Sequence, residues 1–142
     1  MSARGDRGET LLELLVAVVI LGIAGVAIAG GLITSVRASD IHRKQATAGA
    51  AVRDYAETIE TAVDTGGGYV ACGTPAYTYA APPGFSRTIS QIQYWTGSAF
   101  QSGCTSDSGL QRLTLQVASS DGRASEQLVV VIRKPCGGSS CT

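Results

Sequence analysis

The stretch RGETLLELLVAVVILGIAGVAIAGGLI, residues 7–33, decides the architecture of this chain. From Leu14 to Ile33 it holds twenty residues without a charge, and Glu13 stands directly before them. Twenty residues of α-helix extend about 30 Å, the thickness of the hydrocarbon core of a bilayer. A charge costs roughly 2.5–3.5 kcal/mol at the bilayer centre and less near a helix end. The sequence therefore predicts a membrane-spanning helix, and it leaves Glu13 in need of a partner.

Beyond Ile33 the apolar residues narrow to one stripe at spacings of three and four, which is typical of an amphipathic helix. The stripe runs through Ile41, Ala48, Val52, Tyr55 or Ala56, Ile59 and Val63. Because no proline separates the stripe from the apolar segment, we expect one helix from about Thr10 to Asp64. The glycines at 66–68 predict its end, with glycine in a left-handed cap.

After the glycines the period changes from that of a helix to that of strands. Apolar and polar residues alternate before a turn at 96–98, and they alternate again before and after the Asp121-Gly122 turn. Residues 73–86, which contain Pro82-Pro83-Gly84, predict a loop. We expect an antiparallel meander of about four strands, with the helix stripe packed on one face. The predicted fold class is α+β.

All four cysteines, Cys72, Cys104, Cys136 and Cys141, follow the apolar segment. An even number in a small domain favours disulfides formed in an oxidising compartment. Zinc is the alternative, but the CGGSSC spacing is wider than the usual pair and no histidine lies near it. Of the three pairings that four cysteines allow, we expect Cys136 with Cys141 and Cys72 with Cys104.

Charge and side-chain chemistry argue against several function classes. Eleven basic residues balance eleven acidic ones, so nothing supports nucleic acid as the main partner. The one histidine, His42, falls on the polar side of the predicted helix, and no pair of nucleophile and base is evident. We therefore expect no catalytic residues, cofactor or metal. The aromatic residues could form either a core or an adhesive surface, and we favour the core: Tyr77, Tyr79, Phe85, Tyr94, Trp95 and Phe100.

Gly8, Thr10, the two leucines, Glu13 and the apolar helix resemble the N-terminal processing signal of type IV pilins and type II secretion pseudopilins. The resemblance is strongest over residues 7–33. It implies that a membrane peptidase cuts after Gly8 and methylates Glu9, which becomes the first residue. Glu13 matches the acid of this family. A carboxylate there can meet the new amine of a neighbouring subunit in an apolar filament core, where a low dielectric strengthens the pairing.

The resemblance also implies a domain plan and a set of partners. Residues 1–8 are the leader, 9–33 the transmembrane and assembly half of the helix, 34–65 its amphipathic half, and 66–142 the disulfide-stapled β domain. The implied partners are other pilin or pseudopilin subunits, the prepilin peptidase, a membrane platform protein, an assembly ATPase and the bilayer. The implied location is the cell membrane, crossed once with the C-terminal domain outside, and then a filament on the cell surface.

The sequence departs from the family pattern at two places. Glu9 stands where Phe or Met is usual, and a helix-kinking proline is absent, with Gly30-Gly31 in its region. Residues 94–104 and 110–125 are similar, less specifically, to pilin-type proteins of high-GC Gram-positive bacteria.

Two other functions remain open at this point. An ordinary secretory signal would be cut after Ala29, releasing a small secreted domain, but acids in the n-region and the length of the apolar run argue against it. A membrane-tethered binding module or adhesin, without a filament role, is the other alternative.

Overall fold

The computed structural model describes residues 6–65 and 67–136, with side chains from residue 10 onward. Helix α1 spans Asp6–Asp64. Strands β1, β2, β3 and β4 span Phe85–Trp95, Phe100–Gln101, Leu110–Ser119 and Ser125–Arg133. The fold class is α+β, as predicted: a long N-terminal helix packs on a four-stranded antiparallel sheet.

The chain separates into two compact units at Asp40 and Ile41. We call the second one, which begins at Ile41, the sheet unit. The later part of α1 therefore belongs to the same unit as the four strands.

The strand order is β2-β1-β3-β4, with all pairs antiparallel. β1 and β2 form the predicted hairpin, in which the Thr96 amide donates to the Ala99 carbonyl over 3.0 Å. β3 and β4 form the second predicted hairpin around Asp121-Gly122, where Gly122 takes a φ of 71°. β3 pairs with β1 rather than with β2, so the order differs from that of a simple meander. The two-residue β2 is too short to support a further strand.

β1 begins earlier than its alternation predicted, at Phe85 inside the expected loop. The turn before it explains the start. The Phe85 amide donates to the Pro82 carbonyl over 3.0 Å, and Gly84 has a φ of 80°, as the third residue of a type II turn requires. A bulge between Ile89 and Gln91 then breaks the alternation that would have marked the strand in the sequence.

The core lies between the predicted stripe of α1 and the inner face of the sheet, the face carrying Leu113, Leu115 and Val117. Those three side chains, with Tyr55 and Ile59 of the helix, have no exposed surface. The other buried core residues are Ala48, Ala51, Val52, Ala56, Val63, Tyr79 and Ile132. The buried face of β3 and the apolar stripe of α1 therefore pack against each other, as the sequence predicted.

A close approach of the chain follows the end of α1. Helix α1 ends at Asp64, and the Gly68 amide donates to the Ala62 carbonyl over 2.9 Å. A Cβ at Gly68 would lie 2.6 Å from that carbonyl, so only glycine fits. Neither Gly67 nor Gly68 has a positive φ. The predicted left-handed cap was wrong for both of them, and Gly66 lies outside the described residues.

Replacing Ile59 with alanine should lower the free energy of unfolding of the sheet unit by about 3 kcal/mol, because it opens a cavity at a site without exposed surface. The full chain in an uncharged detergent would be titrated with urea while the emission of Trp95, the single tryptophan, is followed. Val129→Ala is the matched control. Val129 is 56% exposed, so its loss should cost less than about 0.5 kcal/mol. Equal losses in both variants would contradict the assigned core.

Candidate functional site

The N-terminal part of α1 carries apolar side chains that the described chain does not cover. The stretch of α1 that is long and apolar enough to cross a membrane has no buried residue. Its most exposed members include Leu21 at 75% and Val26 at 76%. Such a surface needs lipid or other apolar chains around it, because water would solvate it poorly. The apolar helix is thus consistent with the predicted membrane anchor.

The residues of the predicted processing and assembly site lie on the first two turns of this helix. Gly8 and Glu9 are part of the α1 backbone, but their side-chain surroundings are outside the description. Glu13 follows one turn later and its side chain is exposed. It makes no hydrogen bond or ion pair with the described residues. The sequence predicted that Glu13 needs a partner, and the described residues do not supply one.

Gly22, Gly25, Gly30 and Gly31 do not interrupt α1, and a Cβ at any of them would contact no other side chain. The Thr34 hydroxyl donates to the Gly30 carbonyl over 3.0 Å. Such a bond to the preceding turn gives a carbonyl a second partner and tends to bend a helix. The Gly30-Gly31 region is therefore a continuous part of α1 in which one carbonyl has a second donor.

A disulfide joins Cys72 to Cys104, whose Cα atoms are 5.5 Å apart, and this predicted pairing is confirmed. Cys136 is also disulfide-bonded. Its predicted partner, Cys141, lies outside the described residues, so that pairing stays a prediction. No Cys among the described residues is free.

Beside the disulfide, Asp107 forms a polar network that the sequence analysis missed. Its carboxylate accepts hydrogen bonds from the Tyr69 hydroxyl at 2.6 Å and from Gln111 Nε2 at 2.8 Å. The backbone amides of Cys72 and Gly109 donate to it at 3.1 and 2.9 Å. The bond to Gly109 is an Asx turn, which the sequence Asp-Ser-Gly could have indicated. The network ties the segment after α1 to the entry of β3.

The network shifts the ionisation of both its titratable groups. Burial acts to raise the pKa of Asp107, but the four donated hydrogen bonds together hold it below its usual range. Burial and the bond to this carboxylate raise the pKa of Tyr69. The fully buried Gln111 completes the network by donating to the Val70 carbonyl over 2.8 Å. Its Oε1 has no partner among the described residues.

A second cluster joins α1 to β1 through Arg87 and the rings of Tyr55, Tyr77 and Tyr79, and the sequence analysis predicted the tyrosines in the core but missed Arg87. The guanidinium of Arg87 lies 5.3 Å from the Tyr77 ring centroid and 5.8 and 5.9 Å from those of Tyr55 and Tyr79. The hydroxyls of Tyr55 and Tyr77 are 2.5 Å apart, and the Tyr79 hydroxyl donates to the Ala51 carbonyl over 2.9 Å. Burial is the main cause that raises the pKa of Tyr55. These contacts hold the helix on the sheet and leave no ring free for chemistry.

An ion pair joins the helix to the β3–β4 turn, since Lys44 donates to Asp121. The bond to Lys44, followed by bonds from Ser119 and the Arg123 amide, holds the pKa of Asp121 well below its usual range. These groups border an open cleft of about 410 Å³ at the helix surface. The pair is exposed, so it fixes the position of the turn more than it stabilises the fold.

The six aromatic residues divide between core and surface. Tyr79 and Tyr94 are buried, which supports the core prediction. Trp95 and Phe100 form a tilted ring pair with centroids 5.1 Å apart, and both remain partly exposed. The predicted core role therefore does not extend to this pair.

A protein-family model described as the prokaryotic N-terminal methylation motif matches residues 3–29. The match covers Gly8, Glu9, Glu13 and most of the apolar segment, and it supports a type IV pilin-like prepilin. The motif suggests a structural protein rather than an enzyme. No curated protein and no solved structure matches the chain.

Replacing Asp107 with asparagine should lower the free energy of unfolding by about 1–3 kcal/mol near neutral pH, because the amide cannot accept all the hydrogen bonds that the carboxylate accepts. The pKa of Asp107 is lower in the folded chain, so its contribution is present above the unfolded value of about 3.9 and disappears as the pH falls through the folded value. The difference between wild type and variant should therefore shrink below about pH 4.

Urea titrations at a series of pH values measure this difference. The matched control is Asp54→Asn, at an exposed position of α1, which should change stability by less than about 0.5 kcal/mol at any pH. A pH-independent loss in Asp107→Asn would contradict the role given to the carboxylate.

Proposed function

We propose that this protein is a structural subunit, a pilin, minor pilin or pseudopilin, of a filament like those of type IV pili or type II secretion systems. The observation that carries the proposal is the exposed apolar stretch of α1 inside the methylation-motif match, joined along the same helix to a folded unit. A helix that served only as a signal would not need to continue into a folded unit. A helix that enters a bilayer and also packs with its copies does need this continuity.

The proposed maturation is a cut after Gly8 and methylation of the new amine on Glu9. The cut removes residues 1–8, including the basic residues Arg4 and Arg7. The remaining helix begins with a free or methylated amine four residues before Glu13. The start of this helix then carries two carboxylates, Glu9 and Glu13, and one amine, and the residues from Leu14 to Ile33 carry no charge.

The proposed role of Glu13 is to accept that amine from a neighbouring subunit. An exposed carboxylate without a described partner is costly in an apolar environment, and an ammonium or methylammonium group removes that cost. Only a subunit displaced along the filament can bring its own terminus to this position. The pair would therefore fix the register between subunits, which identical apolar helices alone do not specify.

The proposed location follows from the same features. Before assembly the chain would cross the cell membrane once, with the cysteine-bearing sheet unit outside, where disulfides form. The prepilin peptidase, a membrane platform protein and an assembly ATPase would act on it, and other pilin-like subunits would surround it. A source in high-GC Gram-positive bacteria, indicated by residues 94–104 and 110–125, is part of this proposal.

Intact mass of the membrane-derived protein should correspond to a chain that begins at Glu9, with or without one methyl group. Gly8→Val should accumulate uncleaved, because a branched side chain would then precede the cut. Gly5→Val, the same change outside the cut, should be processed normally. A mature terminus at Gly30 would instead establish the secretory-signal alternative.

Glu13→Ala should leave leader cleavage and the Cys72–Cys104 disulfide intact, yet abolish filaments, because neighbouring amines lose their acceptor. Membrane insertion should be unchanged or better, since the span becomes more apolar. Sheared surface filaments and processed membrane subunit would be quantified in the same cells. Glu60→Ala, the same substitution on an exposed part of α1 in the sheet unit, is the control and should assemble normally. A normal filament yield from Glu13→Ala would refute the assembly role.

A further inference from the structure

The face of the sheet turned away from α1, which we call the outer face, has a composition unlike the inner one. Register and alternation place on it every second residue of each strand, including Gln93, Arg112, Thr114, Gln116 and Val131. About half of its side chains are glutamine, threonine or serine, which both donate and accept hydrogen bonds. Val129 and Val131 are 56% and 51% exposed there. This face is uncharged over most of its area and rich in amides and hydroxyls.

One end of the outer face carries an aromatic pair with an arginine. Trp95 and Phe100 lie opposite each other across β1 and β2. The Arg112 guanidinium lies 4.6 Å from the Phe100 ring centroid, and its Nε donates to Gln93 Oε1 over 2.8 Å. These two contacts fix the plane of the guanidinium. Neither of its two terminal nitrogens is hydrogen-bonded to the described residues.

The charges of the outer face are all of one sign. Within β1–β4 it carries Arg112 and Arg133 but no carboxylate, because the only acid of the strands, Glu126, lies opposite Val117 on the inner face. Arg133 follows Val131 at the same end as Arg112. Neither arginine forms an ion pair with residues 10–65 or 67–136. The end of the face therefore presents two guanidinium groups that an external anion can neutralise.

We propose that the outer face binds an acidic polysaccharide, a chain of uronic acid units. The apolar C–H face of a pyranose ring would pack on Trp95 and Phe100, whose ring faces are negative. A uronate carboxylate would meet the fork of Arg112, and a second one Arg133. The glutamine, threonine and serine side chains along the face would bond to the sugar hydroxyls.

The same chemistry argues against nucleic acid as the ligand. Nucleic-acid interfaces are strongly positive because they neutralise closely spaced phosphates. This face has two cations, and the whole chain has as many acids as bases. A uronic acid chain carries one charge per ring with hydroxyls between the charges. This matches two neighbouring guanidinium groups, on the adjacent strands β3 and β4, beside a face rich in uncharged polar side chains.

The test uses the full chain in an uncharged detergent, with polygalacturonate as the probe. Trp95 is the only tryptophan, so its emission reports directly on this end of the outer face. Polygalacturonate should change the emission saturably, whereas fully methyl-esterified polymer, which has the same rings without charge, should not. A single-stranded oligothymidylate tests the nucleic-acid alternative and should bind more weakly than polygalacturonate.

Arg112→Gln should weaken polygalacturonate binding about tenfold, the effect expected from losing one charge-assisted contact. Arg133→Gln is the second variant, since the Arg133 side chain is exposed and its terminal nitrogen lies 3.9 Å from Cys136 Sγ. It should weaken binding in the same direction. Arg53→Gln, the same change on the exposed side of α1, should leave it unchanged.

Far-UV circular dichroism and disulfide mapping would establish that each variant is folded. The proposal would be overturned if polygalacturonate did not change the emission, or if the esterified polymer bound equally well. It would also be overturned if the oligothymidylate bound more strongly, or if neither Arg112→Gln nor Arg133→Gln altered the affinity. None of these outcomes would bear on filament assembly, which depends on α1.

Discussion

The burial of one stripe of α1 against β3 is the interaction on which the rest of the structure depends. The sheet is a single layer of four strands, and one of them is only two residues long. Without the helix, Leu113 and Leu115 on its inner face would be exposed. The helix supplies Tyr55 and Ile59, and it also buries the small residues Ala48, Ala51 and Ala56 on the same stripe. A small domain that cannot form a core from strands alone thus uses a helix that continues into the anchor.

The two parts of α1 differ in whether the chain itself covers their apolar side chains. In the sheet unit the apolar residues are confined to one stripe, and packing within the chain covers them. Between Leu11 and Ile33 they surround the helix, and nothing within the described chain covers them. Such a helix requires lipid or other apolar chains around it. In the proposed function, exchange between lipid and neighbouring helices would need no unfolding, because both environments are apolar.

Periodicity predicted the helix, both hairpins and the buried face of the sheet, because burial imposes a period of 3.6 or 2 on the sequence. It failed where a single contact decides the structure. The bulge after Ile89 hid half of β1, and the approach of Gly68 to the Ala62 carbonyl was not anticipated. The Asp107 network was also missed, since its partners lie up to 38 residues away in the chain and no spacing rule connects them. The processing residues rest on the resemblance and stay a prediction, and the contact of Arg112 with Phe100 emerged only with the strand register.

The Cys72–Cys104 disulfide encloses β1 and β2 completely, since both strands lie within its 32-residue separation. Under tension the disulfide would keep the Cα atoms of Cys72 and Cys104 close to their separation of 5.5 Å. The enclosed segment would otherwise extend by roughly 110 Å, at about 3.3–3.6 Å per residue. Force applied along the backbone therefore passes through the sulfur atoms, while β1 receives force only through its hydrogen bonds to β3. Under mechanical stress the enclosed segment, which carries the ring pair of Trp95 and Phe100, cannot lengthen.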